Sequence, residues 1–418
     1  MKDCLWNAKK VGMKLASILS RRCNFKEKRR NSMIQSLATE EEIKLFKKTV
    51  EAFAKKEIES HYPQWEETAT IPRELWKKLG GNGLLCVDIP EQYGGLGAPL
   101  TFAYIIIEEF SRLGYHSIAV NLSVHSNIVA HYILNAGTEE QKNYYLPKMV
   151  SGELIGAIAM TEPNAGSDLQ GVKTMAIKDE SINQYVINGS KTFITNGQSF
   201  DFVIVVAKTN PEVAPSKGMS LFIVDADCEG VIKGKKLKKI GLRSSDTSEL
   251  FLEDVKVSSE NLLGELNGGF FVLMNELPRE RTTLAAAAVA AMEGAIELTV
   301  NYVQEREAFG NSLSKLQVIR HKIAEMMTEA RLNRAFVNEC VRLLEEGNLT
   351  TAEASMVKLA ATEAQCKVMD RCLQLFGGYG YMEEYPISRF FTDARIQRIY
   401  GGTSEIMKEI ISKDILGR

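Results

Sequence analysis

The spacing of the hydrophobic residues changes twice along the chain, and those two changes limit the folds open to it. Ile43, Phe46, Val50 and Phe53 recur at helical spacing behind a Thr39–Glu42 capping box, and Thr138 with Gln141 repeats the device. "YGGLG", Tyr93–Gly97, reads as a loop between them. Near residue 155 short β-branched runs take over: "FDFVIVVAKT", "SLFIVDA" and "SELFLEDVKVS", with no helical segment between them. Asn188-Gly189 lies between two such runs and predicts a hairpin. From about Pro278 the pattern is helical again, over 279–306, 314–346, 351–376 and 403–415, with Gly347 as a stop and Thr350–Glu353 as a restart. Strands without intervening helices argue against a βαβ sheet and for an antiparallel sheet or barrel. The fold class is therefore α+β multidomain: a basic extension (1–34), an N-terminal α-domain (35–155), a middle antiparallel β-domain (156–272) and a C-terminal four-helix bundle (273–418).

Charge and cysteine content narrow the function. A net charge of −2 gives no electrostatic case for a nucleic-acid partner. The first 30 residues hold ten basic residues and only Asp3 and Glu27 as acids. That segment reads either as a disordered extension, with a cytoplasmic location if the chain is bacterial, or as a transit peptide to the mitochondrial matrix. No run reaches the roughly 18 apolar residues that span a bilayer, so no stable membrane insertion is expected. The seven cysteines form no CxxC pair and read as reduced thiols. The five histidines lack metal-ligand spacing, and no metal site is expected.

No standard nucleotide motif is present. The glycines of "FGGYGYMEEYP", Phe376–Pro386, follow a helix rather than a strand and so fail the context of a dinucleotide fingerprint. "AIAMTEPNAGSDLQG", Ala157–Gly171, runs from strand-like residues into a polar loop. On composition it is a turn between strands, and its hydroxyls and backbone groups also suit the edge of a planar heterocycle. Together with "KTFITNG" (Lys191–Gly197), "EREAFG" (Glu305–Gly310), "QLFGGYGYMEEYP" (Gln374–Pro386) and "DARIQRIYGGTSEI" (Asp393–Ile406), this loop resembles the acyl-CoA dehydrogenase family in order and spacing, over roughly residues 35–418. Within the family the likeness is greatest to the long-chain subgroup.

The resemblance implies a homotetramer, a dimer of dimers, with one FAD per subunit. It implies oxidation of a long- or medium-chain acyl-CoA, straight or branched, to the trans-2-enoyl-CoA in fatty-acid β-oxidation, with electron-transferring flavoprotein as acceptor. Other readings are an acyl-CoA-oxidase-like or related flavoenzyme of the same fold, and a non-catalytic flavoprotein scaffold. The reaction needs a carboxylate to take the Cα proton, and a base works best with its pKa near neutrality.

Many family members carry that carboxylate directly after the Tyr of a Tyr-Glu-Gly-Thr motif; here the position is Gly401. Long-chain and isovaleryl-CoA members use a glutamate before an arginine at a helix start, which matches Glu280 before Arg281 in "ELPRERTTLAA". Read locally, Glu280 is also an ordinary acidic residue in the first turn of a helix begun by Pro278, where the dipole would lower its pKa and burial would raise it. The side chain missing at Gly401 is expected to leave space beside the substrate, while its N–H faces the thioester oxygen.

The remaining roles follow by motif. Met160, Thr161 and Ser167 line the flavin and thioester side of the loop, and Phe193, Ile194 and Thr195 lie against the isoalloxazine. Arg306, Phe309 and Gln317 reach the FAD of a neighbouring subunit. Gln374, Leu375, Phe376, Gly377 and Gly378 approach its pyrophosphate or adenosine end. Thr403, Ser404 and Glu405 close over the cofactor. Ser167, Ser216, Lys217, Phe271, Pro278, Arg281, Gly401 and Gly402 contact acyl-CoA. Three positions depart from the common pattern: Asn164 replaces a glycine and is expected at positive φ, Phe193 replaces a tryptophan, and Glu405 replaces a glutamine.

Overall fold

The computed structural model describes residues 39–417. The basic segment 1–34, with both of its readings, lies outside the described residues. Seven helices come first: α1 (Glu40–Glu57), α2 (Tyr62–Thr68), α3 (Arg73–Gly81), α4 (Leu100–Arg112), α5 (His116–Leu122), α6 (Ala130–Ala136) and α7 (Glu139–Ser151). The Thr39 hydroxyl accepts the Glu42 N–H at 3.2 Å, and the Glu42 carboxylate accepts the Thr39 N–H at 2.8 Å. Thr138 with Gln141 closes the same box on α7. Each box satisfies donors that a helix start otherwise leaves open. Between α5 and α6 the helix does not break; Ser123–Val129 winds as a π-helical segment.

The middle of the chain is an eight-stranded sheet: β1 (Gly156–Ala159), β2 (Met175–Asp179), β3 (Gln184–Thr195), β4 (Phe202–Lys208), β5 (Met219–Asp225), β6 (Val231–Lys236), β7 (Thr247–Ser258) and β8 (Leu262–Leu263). Its order is β6-β7-β3-β2-β4-β5-β8, with β1 also on β4. The pairs are antiparallel except where β1 and β2 run parallel to β4. The hairpin expected at Asn188-Gly189 does not form; β3 runs straight through with a slip in register against β7. The Asn188 side chain instead accepts the Asp254 N–H at 2.8 Å and donates to the Asp254 carboxylate at 2.9 Å, across the sheet. A Cβ on Gly189 would lie 2.3 Å from Thr174 Oγ1, so the glycine serves close strand packing, not a turn.

The last third holds α8 (Gly269–Glu305), α9 (Gln317–Glu345), α10 (Thr351–Phe376), α11 (Pro386–Ala394) and α12 (Ser404–Leu416). A short hairpin, β9 (Glu307–Ala308) and β10 (Asn311–Ser312), joins α8 to α9. Thr350 and Glu353 cap α10 as the sequence predicts. The start of α8 differs from the expectation: it begins at Gly269, and Pro278 stands inside it. The helix is long and apolar enough by composition to cross a bilayer, but 78% of its apolar window is buried in the fold, as in a core helix. It packs against α4, α9 and α10 and touches β5.

Candidate active site

The β-domain wall of the site is built around one buried ion pair. Glu162, from the Thr-Glu-Pro turn after β1, accepts the N–H groups of Lys173 (2.7 Å) and Thr174 (3.0 Å), the Thr174 hydroxyl (2.5 Å) and Lys191 Nζ (2.8 Å). Lys191 is fully buried and also donates to the carbonyls of Met160 (3.2 Å) and Val206 (2.7 Å). Burial pushes Lys191 down to about 8 against the pull of Glu162. Burial alone would raise Glu162, but Lys191 and the turn donors hold it below the usual carboxylate range. The two sequence motifs are thereby tied together, which fixes Met160 and Thr161 in the cavity wall.

Just past Lys191, β3 bulges. The register against β7 slips between Lys191 and Ile194, and Phe193 takes φ +59° with its ring 67% exposed. A bulky side chain at positive φ is costly and marks a position held for a purpose. Asn196 (φ +61°) secures the strand end by donating from its buried amide to the carbonyls of Asn121 (3.2 Å) and Gly156 (3.1 Å). Asn164, in contrast, is not among the residues at positive φ, so that expectation fails.

Opposite this wall a cavity of about 630 Å³ opens between sheet and bundle. Met160, Thr161, Ser167, Phe193, Ile194 and Thr195 line one side, and Glu280, Arg281, Gly401 and Gly402 the other. Val120, Ser123, Val124 and Ile128, from the end of α5 and the π-helical segment, with Leu273, Met274 and Leu277 of α8, give it an apolar end. The carboxylates on its lining are Asp168 and Glu409, both exposed, and Glu280, which is 7% exposed.

Among the described residues the Glu280 carboxylate accepts one hydrogen bond, from the Tyr132 hydroxyl at 2.9 Å. Burial raises Glu280 to about 7; Glu276 adds to the rise, while Tyr132 and Arg281 oppose it. The two opposing influences weighed in the sequence thus resolve in favour of burial. Because α8 starts at Gly269, Glu280 lies beyond the first turn, where the helix-end field has faded. Arg281 is buried too; its Nη1 donates to Ser355 Oγ at 3.2 Å, and its Nε has no hydrogen-bond partner among the described residues.

Gly401 and Gly402 take φ +64° and +96°, a region glycine enters without steric cost. Lys358, fully buried on α10, donates to the Gly402 carbonyl at 2.6 Å and fixes the pair. The space expected beside Gly401 is filled: a Cβ there would lie 2.4 Å from Leu284 Cδ1.

The other predicted positions divide into groups. Phe271 points to solvent at 71% exposure, and its neighbour Phe270 lines the cavity instead. Pro278 is a helix-interior residue outside the lining. Ser216 and Lys217 form a turn, Pro215–Lys217, that packs against the Leu169–Gly171 turn at the cavity edge. Thr403 caps α12 by accepting the Ile406 N–H, Ser404 is buried and donates to Glu363 at 2.7 Å, and Glu405 is exposed. Arg306, Phe309, Gln317, Gln374, Gly377 and Gly378 lie outside this cavity on exposed surface. Arg306 sits over the Tyr379 ring, its guanidinium carbon 5.5 Å from the centroid. The side chains of Leu375 and Phe376 belong to the bundle core, with Phe376 stacked on Tyr302 at 4.0 Å, so any contact they make with a ligand is through their backbone. Tyr132 and Lys358 escaped sequence reasoning, since no local motif marks them; Tyr400 and Leu284 lie within the quoted motifs, but nothing in the motifs assigns them a role.

Comparison with known proteins agrees with this architecture. Family models for the acyl-CoA dehydrogenase N-terminal, middle and C-terminal domains match residues 40–153, 157–255 and 267–416. The long-chain specific acyl-CoA dehydrogenase, mitochondrial, of Sus scrofa is 49% identical over 373 residues, 89% of this chain and 86% of that protein. The isovaleryl-CoA dehydrogenase, mitochondrial, of Solanum tuberosum is 37% identical over 97% of this chain and 98% of that protein. The crystal structure of acyl-CoA dehydrogenase from Geobacillus kaustophilus superposes with a TM-score of 0.88 at 44% identity, covering 91% of this chain and all of that one. With three domains matched in order, the chain belongs to the acyl-CoA dehydrogenase family of FAD-dependent oxidoreductases.

Proposed function

We propose that this protein dehydrogenates a long- or medium-chain acyl-CoA, straight or branched, to the trans-2-enoyl-CoA, with Glu280 taking the Cα proton. One observation carries the assignment: among the described residues, Glu280 is the one buried carboxylate on the cavity lining. A base near neutrality is largely ionised at working pH yet still strong enough to receive a proton. The Gly401 position, where many relatives carry the carboxylate, has none to compete.

The residues present fit FAD. The Phe193 ring stands out of the β3 bulge, Thr161, Ser167 and Thr195 are on the lining, and among the described residues the buried Tyr400 hydroxyl has no hydrogen-bond partner. When bound, FAD supplies the acceptor for the hydride that leaves Cβ. Phe193, Ile194 and Thr195 would flank it, and Thr403 would anchor the helix beside it. Arg281, Gly401 and Gly402 would border the acyl thioester, with Ser216 and Lys217 near its CoA portion. The apolar end of the cavity takes the acyl chain.

Phe309 is 91% exposed at φ +55° in the turn joining β9 and β10, which suits a contact with a second subunit. A homotetramer and electron-transferring flavoprotein as acceptor complete the reading. It is supported by the relatives that are long-chain and isovaleryl-CoA dehydrogenases and by a fold shared with a glutaryl-coenzyme A dehydrogenase in complex with glutaryl-CoA.

The test is anaerobic bleaching of the flavin by a panel of acyl-CoAs, with Glu280→Gln alongside the parent. The parent bleaches with its preferred chain lengths. The variant keeps its FAD and loses at least ~10²-fold in rate, the low end for general-base catalysis. Near-normal bleaching by Glu280→Gln removes the assignment, and silence of the parent across the panel removes the reaction.

A further inference from the structure

Helix α6 lies along α8 and places a polar residue against the polar groups around Glu280. Asn135 Nδ2 donates to Glu276 Oε1 at 2.7 Å. Tyr132 donates to Glu280 Oε1 at 2.9 Å. His131 Nε2 lies 2.9 Å from Asp88 Oδ2, and Arg279 Nη1 lies 3.3 Å from that same oxygen. The contacts at His131 and Asn135 flank Tyr132 on both sides, so its hydroxyl has little freedom to swing away. Pro278 sits inside the same stretch of α8. With no N–H to give, it leaves the helix without the bond to the carbonyl of Met274, one turn earlier.

Tyr132 is fully buried, and among the described residues its only hydrogen-bond partner is Glu280. It therefore holds one oxygen of the carboxylate, and the other has no partner among the described residues, on a side chain that lines the cavity. We infer that Tyr132 is a positioning residue that aims Glu280, and that Tyr132 and Glu276 set in opposite senses the pH at which Glu280 becomes active.

The opposition follows from the charges facing Glu280. Tyr132, from α6, donates a hydrogen bond that favours the ionised carboxylate. Glu276, one turn earlier on α8, faces it with like charge and disfavours ionisation. Arg281 favours ionisation from the next position on α8, with Ser355 and Lys358 of α10 packed behind it. Tyr400, Glu409 and Lys413 border the same cavity from α12 and the loop before it. Against this surround, the Tyr132 hydroxyl is the single hydrogen bond that can be deleted without changing side-chain shape.

The inference rests on Glu280 being the base, and the experiment separates the two. The holoenzyme, Tyr132→Phe, Glu276→Gln and Glu280→Gln are assayed for kcat/KM against pH with octanoyl-CoA and palmitoyl-CoA and a ferrocenium acceptor. Tyr132→Phe moves the acidic limb up by about one pH unit, and Glu276→Gln moves it down by a similar amount. At pH 9, well above both limbs, Tyr132→Phe reaches a plateau that stays below the parent's, because the carboxylate is ionised but no longer held by the Tyr132 hydroxyl; a full recovery there would leave Tyr132 a role in ionisation only and overturn its positioning role. Unmoved limbs in both variants overturn the inference, whatever happens to their melting temperatures. Glu280→Gln reports on the base itself: full turnover in that variant removes the underlying reading, whereas its inactivity beside unmoved limbs removes only the role of Tyr132.

Discussion

Leu284 occupies the place where a side chain on Gly401 would begin: a Cβ at 401 would lie 2.4 Å from Leu284 Cδ1. Leu284 stands one turn after Glu280 on the same face of α8, so the helix that carries the buried carboxylate also closes the alternative position. A side chain at 401 therefore requires the Leu284 methyl to move from its present position.

It follows that moving the base to 401 needs more than an exchange of two residues. Gly401→Glu with Glu280→Gly must enter positive φ and displace Leu284, and is expected to lose roughly 1–2 kcal/mol of stability and stay nearly inactive. Adding Leu284→Ala opens the space and restores measurable bleaching by acyl-CoA. Single-turnover rates of the double and triple variants decide the matter, since equal rates in both would show that Leu284 is no obstacle.

Keeping a carboxyl dry costs stability, with a definite pH dependence. The folded protein holds the Glu280 proton up to about pH 7, against a reference value of 4.5. The folded state therefore binds more protons between those values, and stability falls as pH rises through that window. Below about 4.5 there is no penalty; above about 7 it is complete, at roughly 3 kcal/mol. Glu280→Gln should thus raise the denaturation midpoint clearly at pH 8 and little at pH 5, read from urea unfolding of the two holoproteins at both pH values.

Phe193 is expected to trade stability against cofactor retention. Phe193→Gly removes a bulky residue from φ +59° and relieves about 1 kcal/mol of backbone strain. It also removes the exposed ring proposed to face the flavin. The apo form should then melt slightly higher than the parent, while FAD dissociates more readily. Parallel melting curves and flavin release by gel filtration check both halves.

The Glu162–Lys191 pair gives a sharper stability effect. Lys191→Met leaves Glu162 buried without its cation and should cost about 3–5 kcal/mol. Combining it with Glu162→Gln should recover a large share, because a neutral amide removes the unpaired buried charge and its one oxygen still accepts the Thr174 N–H, although its Nε2 cannot accept the Lys173 N–H. Chemical denaturation of the single and double variants measures the difference, and an additive loss would contradict it.

What the sequence reveals here depends on how far apart the interacting residues lie. The capping boxes at Thr39, Thr138 and Thr350 read correctly because both partners lie within one turn. Asn188-Gly189 reads wrongly because its partner is Asp254, on another strand. The start of α8 reads wrongly because a proline suits a first turn better than an interior, while tertiary packing carries this helix through it. Phe271 and Phe270 differ by about 100° of helix rotation, which sequence motifs do not resolve. Glu280 comes from a family pattern, but its near-neutral pKa depends on burial and on Tyr132, 148 residues away along the chain.

Helix α8 meets α4 of the first domain, β5 of the sheet, and α9 and α10 of the bundle. Each of these units buries part of its apolar surface on this one helix, so none can melt away without stripping α8 as well. Heat should therefore take the subunit apart in a single cooperative transition rather than domain by domain. The same dependence sets an order for biogenesis: the segments before Gly269 leave the ribosome first and must wait, with their docking surface uncovered, until α8 arrives to close it.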